Sequence, residues 1–147
     1  MTNSLTRRYD LQLPLDVAVL PLMRAQARRF LTRDAFAEDF VEDIVLCLQE
    51  ACKNAIRFSG SRRGILVQLY LEPAIVHVVV RDFGVGMAPG AMDVSSAPLA
   101  ENGRGLRIIR CLMDELEVNV DRGTELRMAK NVPAPGQAPA DDIMLCA

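Results

Sequence analysis

Apolar and polar residues alternate through "YDLQLPL", residues 9 to 15, which predicts a first β-strand closed by Pro14. The period then changes. From Asp16 to about Arg33, Val17, Leu20, Met23, Ala27 and Leu31 recur at helical spacing, with arginines on the opposite side. Pro21 suits that helix only in its first turn. Phe40, Val41, Ile44, Val45, Leu48 and Ala55 outline a second helix from about Ala35 to Phe58, which "FSGS" ends. "GILVQLYLEPAIVHVVVRD" reads as two strands around a tight Glu72-Pro73 turn. Residues 88 to 102, "APGAMDVSSAPLAEN", have no period at all; so long a loop inside a compact domain is uncommon unless it has a function. "GRGLRIIRCLMDEL" restores helical spacing, and "LEVNVDRGTELRM" closes as a hairpin.

The order is strand, helix, helix, hairpin, loop, helix, hairpin. It predicts an α+β fold: a two-layer sandwich of a mixed, mostly antiparallel sheet with helices on one face. Residues 1–131 read as a single domain, and 132–147 as a Pro/Ala-rich flexible tail whose "IMLCA" ending could dock.

Composition narrows the classes. At 147 residues and 50% hydrophobic, the chain can build one real core. A net charge of −2 gives no case for direct nucleic-acid binding or for a membrane surface. No apolar run reaches the ~18 residues of a membrane span, and the N-terminus lacks a signal-peptide stretch, so a cytoplasmic protein is expected. Cys47, Cys52, Cys111 and Cys146 show no metal-ligand spacing, and the chain has one histidine, His77. They read as reduced thiols. Lys53 and Lys130 are the only lysines. Arg24, Arg28, Arg29 and Arg33 read as a solvated helix face.

The candidate chemistry begins at "RDFGVGM". Gly84-x-Gly86 follows a strand, yet a dinucleotide fingerprint needs a third glycine opening a helix, and Pro89 stands there. The two glycines are not alone. "QEACKNA" puts Glu50 and Asn54 four residues apart on one helix face. "NGRGL" puts Gly103, Arg104 and Gly105 at a helix start, where free N–H groups favour an anion. "RGTEL" sets Thr124 at the head of the last strand.

In this order the motifs resemble those of the GHKL ATPase superfamily, which has the Bergerat fold, across roughly residues 9 to 131. "EACKN" resembles its N box, "DFGVG" its G1 box, "GRGL" its G2 box and "GT" its last motif. The loop 88–102 resembles its ATP lid. The resemblance implies ATP and Mg²⁺ as cofactors. Asp82 would read the adenine amino group, Gly84 and Gly86 would let the backbone bend beneath the base, and Thr124 would complete the pocket through a water. Asn54 would hold Mg²⁺, and Gly103, Arg104 and Gly105 would meet the phosphates. The small stand-alone domain, with "CLMDELEV" before "GTELRMAK", is similar to anti-sigma-factor serine/threonine kinases. In those kinases the N-box glutamate, here Glu50, serves the attacking hydroxyl. The implied partners are an anti-anti-sigma (STAS-domain) protein, a sigma factor and a second copy of the chain. The alternative is a non-catalytic, ATP-gated binding switch of the same family. One departure stands out: "IRFSGS" replaces a histidine-containing segment found in many relatives, which bears on partner choice.

Overall fold

A computed structural model of the chain describes residues 7–60, 63–84 and 101–133. Strand β1 (Arg7–Leu13) leads into a short 3-10 turn (Val17–Val19), then helices α1 (Leu20–Leu31) and α2 (Glu38–Phe58). Strands β2 (Ile65–Glu72) and β3 (Ile75–Asp82), helix α3 (Glu101–Leu112), and strands β4 (Glu115–Val120) and β5 (Thr124–Asn131) complete the described elements.

Local chemistry sets several boundaries. The Asp16 carboxylate accepts a hydrogen bond from the Ala18 N–H at 2.9 Å and starts the 3-10 turn. The helix expected from Asp16 is therefore split, and Pro21 falls in the first turn of α1, where its missing N–H costs nothing. Helix α2 starts at Glu38 rather than Ala35, with Glu38 and Asp39 complementing the positive end of its dipole. It ends at Phe58 as expected, followed by Gly60 at φ 65. Glu72 still pairs with Ile75, so the β2–β3 turn falls on Pro73 and Ala74. Helix α3 begins at Glu101, which gives the last two residues of the expected loop to the helix. Residues 85–100, with Gly86 and most of that loop, lie outside the described residues, as does the tail beyond Pro133. The Val132 N–H donates to the Ala74 carbonyl at 2.8 Å, so the ordered packing runs past the expected boundary at 131.

The sheet order is β1-β2-β3-β5-β4, and every pairing is antiparallel. The period of two then divides its residues. Ile65, Val67, Leu69 and Leu71 of β2, Val76, Val78 and Val80 of β3, and Leu126 and Met128 of β5 face the helices. Met23, Ala27 and Leu31 of α1, Ile44, Leu48 and Ala51 of α2, and Leu106 and Ile109 of α3 close over them. This is the α+β two-layer sandwich that the element order predicts.

The cysteines divide. Cys47 and Cys52 are free and buried in the core, and burial pushes both thiols up to about 12. Cys111, half-buried near the end of α3, is disulfide-bonded, which corrects the expectation of four reduced thiols.

Candidate functional site

Asp82 is the last residue of β3 and shares the helix-covered face with Val78 and Val80. The register that pairs Arg81 with Glu125 carries Asp82 opposite Thr124, the first residue of β5. Two polar residues thus end a run of apolar residues, Val76, Val78 and Val80 on β3 and Leu126 and Met128 on β5. Asp82 is 4% exposed. Its Oδ1 accepts hydrogen bonds from the backbone N–H of Gly84 at 3.0 Å and of Thr124 at 3.2 Å. Both of these bonds fall on one oxygen, Oδ1. A buried carboxylate held by one oxygen keeps the other for a donor from outside.

Close packing fixes this arrangement. A Cβ on Gly84 would lie 1.7 Å from the Ser59 carbonyl oxygen, so only glycine lets the chain after β3 meet the end of α2. Gly123 has φ 125, and a Cβ there would stand 2.2 Å from the Asp82 carbonyl oxygen. Ser59 and Gly123 are the residues that the motif reading passes over. The signal for Gly123 was its place in "GT"; for Ser59 there was none, because only the three-dimensional packing reveals its contact.

Helix α2 supplies the facing wall. Ala51, Asn54 and Ala55 turn toward Val80, Asp82, Thr124 and Leu126 around a slot of about 10 Å³, enough for roughly one water. Asn54 Nδ2 and Thr124 Oγ1 are buried there without a hydrogen-bond partner among the described residues, and so is Ser59 Oγ nearby. Unpartnered polar atoms are costly in a protein interior and mark a place where water or a ligand completes the bonding. An amide, a hydroxyl and a half-used carboxylate on one cleft fit a polar heterocycle with a bridging water. They also fit a hard cation, which takes oxygen ligands such as the Asn54 amide oxygen.

One turn before Asn54, Glu50 points at α3. Its side chain is 14% exposed, and a Cβ on Gly105 would come within 2.9 Å of Oε2. Gly105 therefore makes room for the carboxylate. Gly103 and Arg104 lie in the first turn of α3, where backbone N–H groups lack intrahelical partners. The Arg104 side chain is exposed. Of the residues singled out from sequence, Asn54, Asp82 and Thr124 thus share one slot and Glu50 meets the first turns of α3 through Gly105, while Gly86 is outside the described residues.

Roomier grooves lie elsewhere. One of about 390 Å³ runs over the open sheet face past Tyr70, His77 and Arg127, and one of about 570 Å³ lies beside Leu13, Arg63 and Phe83. Neither groups a buried carboxylate with unpartnered amide and hydroxyl atoms, so chemistry rather than volume identifies the site. His77 stacks on Tyr70 at 4.5 Å, with Nε2 3.2 Å from Glu72 Oε1. The α1 arginines are partly engaged. Arg24 donates to Gln49 at 2.6 Å, and Arg28 grips both oxygens of Glu42 at 2.7 and 3.0 Å, strapping α1 to α2. Arg29 and Arg33 are exposed.

Comparison with known proteins agrees with this geometry. The family model of the histidine kinase-like ATPase domain matches residues 13–130. The chain is 26% identical over 136 residues to the serine-protein kinase RsbW of Bacillus cereus (strain AH187) and of Bacillus thuringiensis (strain Al Hakam), covering 85% of this chain and 85% of each relative. Its fold is similar to a crystal structure of the RsbU and RsbW domains of a Mycobacterium tuberculosis protein, with a TM-score of 0.68 at 20% identity. That likeness covers 93% of this chain and 36% of the longer one. With the matched span running from the end of β1 to the last strand, this chain belongs to the histidine kinase-like ATPase family, as its GHKL-type motifs imply.

Proposed function

We propose that the chain is an ATP- and Mg²⁺-dependent serine/threonine protein kinase of the anti-sigma type, working in the cytoplasm as one domain over residues 1–131. Its substrate is a small anti-anti-sigma (STAS-domain) protein. A sigma factor is its second partner, held when the antagonist is absent, and the working form is a homodimer. The observation that carries this reading is Glu50: a nearly buried carboxylate, wedged against Gly105 beside the first turn of α3. A merely structural glutamate on a solvated helix face would not need a glycine opposite it.

The residues divide the work between binding and transfer. The spare oxygen of Asp82 accepts from the adenine amino group, and the unpartnered Thr124 hydroxyl joins the base through water. Gly84 and Gly86 keep the backbone close beneath the base. Gly103 and Arg104 meet the phosphates with N–H groups and positive charge, and Gly105 leaves space for Glu50. Mg²⁺ neutralises phosphate charge, and Asn54 is the side chain that would hold it, an ion that keeps most of its other ligands as water and phosphate oxygens. Glu50 orients the substrate hydroxyl and takes its proton. Transfer is mostly positioning and charge neutralisation, which this constellation can supply.

Glu50→Gln tests the kinase. Mg-ATP affinity, measured by calorimetry, stays within about twofold, because Asp82 and the glycine segments make the binding contacts. Phosphoryl transfer to a co-purifying STAS protein falls by roughly a hundred- to ten-thousand-fold, the range for losing a positioned base. A wild-type chain that binds its partners in an ATP-dependent way yet transfers no phosphate contradicts the kinase and leaves the ATP-gated switch in its place.

A further inference from the structure

The two lysines of the chain are used in opposite ways. Lys130 is spent: its ammonium donates to the Leu112 carbonyl at the end of α3, lies 3.9 Å from Asp43, and sits over the Phe40 ring at 5.8 Å. Lys53 is not. Its side chain is 51% exposed, and its only ion-pair partner among the described residues is Glu50, at 3.7 Å. That distance is too long for a hydrogen bond, so the three ammonium donors stay available.

Its position gives this availability a direction. Lys53 precedes Asn54 and follows Glu50 by three residues, so around α2 the order is Asn54, Glu50, Lys53. Glu50 Oε2 is against Gly105, Oε1 faces Lys53, and only Lys53 of the pair reaches into solvent. Lys53 therefore marks the solvent side of Glu50. The ammonium stands 3.7 Å from the carboxylate oxygen Oε1 without bonding it.

We propose that Lys53, which stands 3.7 Å from Glu50, is a contact for the terminal phosphate of a bound nucleoside triphosphate and turns to that phosphate, leaving the Glu50 carboxylate to the attacking hydroxyl. The proposal rests on the nucleotide reading of the site and deepens it. In the transfer step the hydroxyl oxygen bonds to the terminal phosphorus and the bond from that phosphorus to the bridging oxygen breaks. The hydroxyl proton goes to Glu50, and the nucleoside diphosphate leaves with the bridging electron pair. Lys53 offsets the charge on the transferring group and exchanges no proton.

The test is the difference between ATP and ADP. Calorimetry with Mg-ATP and Mg-ADP is run on wild type, Lys53→Met and Lys53→Arg, with circular dichroism to verify the fold. Lys53→Met weakens ATP binding roughly tenfold, the scale of one charge-assisted hydrogen bond, and leaves ADP binding within twofold. Lys53→Arg keeps most of the discrimination. A Lys53→Met chain that binds ATP as wild type does, or that weakens both nucleotides equally, overturns the proposal and leaves a helix-surface pair with Glu50. A wild type that binds neither nucleotide overturns the site reading itself, and the proposal with it.

Discussion

The two faces of the sheet handle polar residues in opposite ways. On the open face most meet one another: Arg8 with Asp10, and Arg127 and Arg81 with Glu125. His77 stacks on Tyr70, its buried Nε2 3.2 Å from Glu72 Oε1 but without a hydrogen bond among the described residues. On the helix-covered face polar residues are few, and those at the end of β3 and the start of β5 remain partly unbonded. The open face has the larger grooves and balanced charge. The covered face has a slot that holds about one water, bordered by atoms that lack partners. The covered slot is distinguished by a buried amide, hydroxyl and carboxylate gathered where unfinished bonding is costly, not by its size.

The largest expected effect of breaking this contrast is steric. Gly84→Ala puts a Cβ into the Ser59 carbonyl, a contact that demands backbone movement. A loss of about 3 kcal/mol is expected, or a fall of roughly 6–12 °C in Tm for a domain of this size. Arg127→Ala on the open face, where the pair with Glu125 is half-exposed, shifts Tm by less than about 2 °C. Equal effects at the two positions would erase the distinction between the faces. Thermal unfolding followed by circular dichroism measures both.

A smaller effect concerns the strap between α1 and α2. The bidentate bond from Arg28 holds the Glu42 carboxyl below its ordinary value. Its contribution is complete above the ordinary value of 4.5 and fades as pH falls through the lowered folded value. Both side chains are nearly half-exposed, so solvent screening limits the pair to about 0.5 kcal/mol. Glu42→Gln should lower Tm slightly at pH 7 and not at pH 3. A difference that persists unchanged at pH 3 would remove the ion pair as its cause.

The fold was legible because its periods are clean. Strand β2 alternates buried and half-buried residues over its whole length, and the apolar face of α2 holds one spacing for five turns. Boundaries were less legible where one side chain decides them: the Asp16 cap divides the first helix, and the Glu72–Ile75 pairing moves a turn by one residue. The buried carboxylate at the end of β3 could be anticipated, because Asp82 closes an apolar strand just before two glycines. The tight Ser59–Gly84 contact, the role of Gly105 as space for Glu50, and the disulfide at Cys111 were not legible. They join segments whose approach no local pattern encodes.

The central claim is that Asp82 keeps one carboxylate oxygen for a nucleotide base. Calorimetric titration of ATP into wild type and Asp82→Asn tests it most directly. An asparagine can still accept from the Gly84 and Thr124 N–H groups through its oxygen, so the fold survives. Its amide nitrogen then faces the base as a donor against a donor. The account predicts ATP binding weakened roughly ten- to a hundredfold, the scale of a buried donor left without its acceptor. An Asp82→Asn chain that folds and binds ATP as tightly as wild type would contradict it.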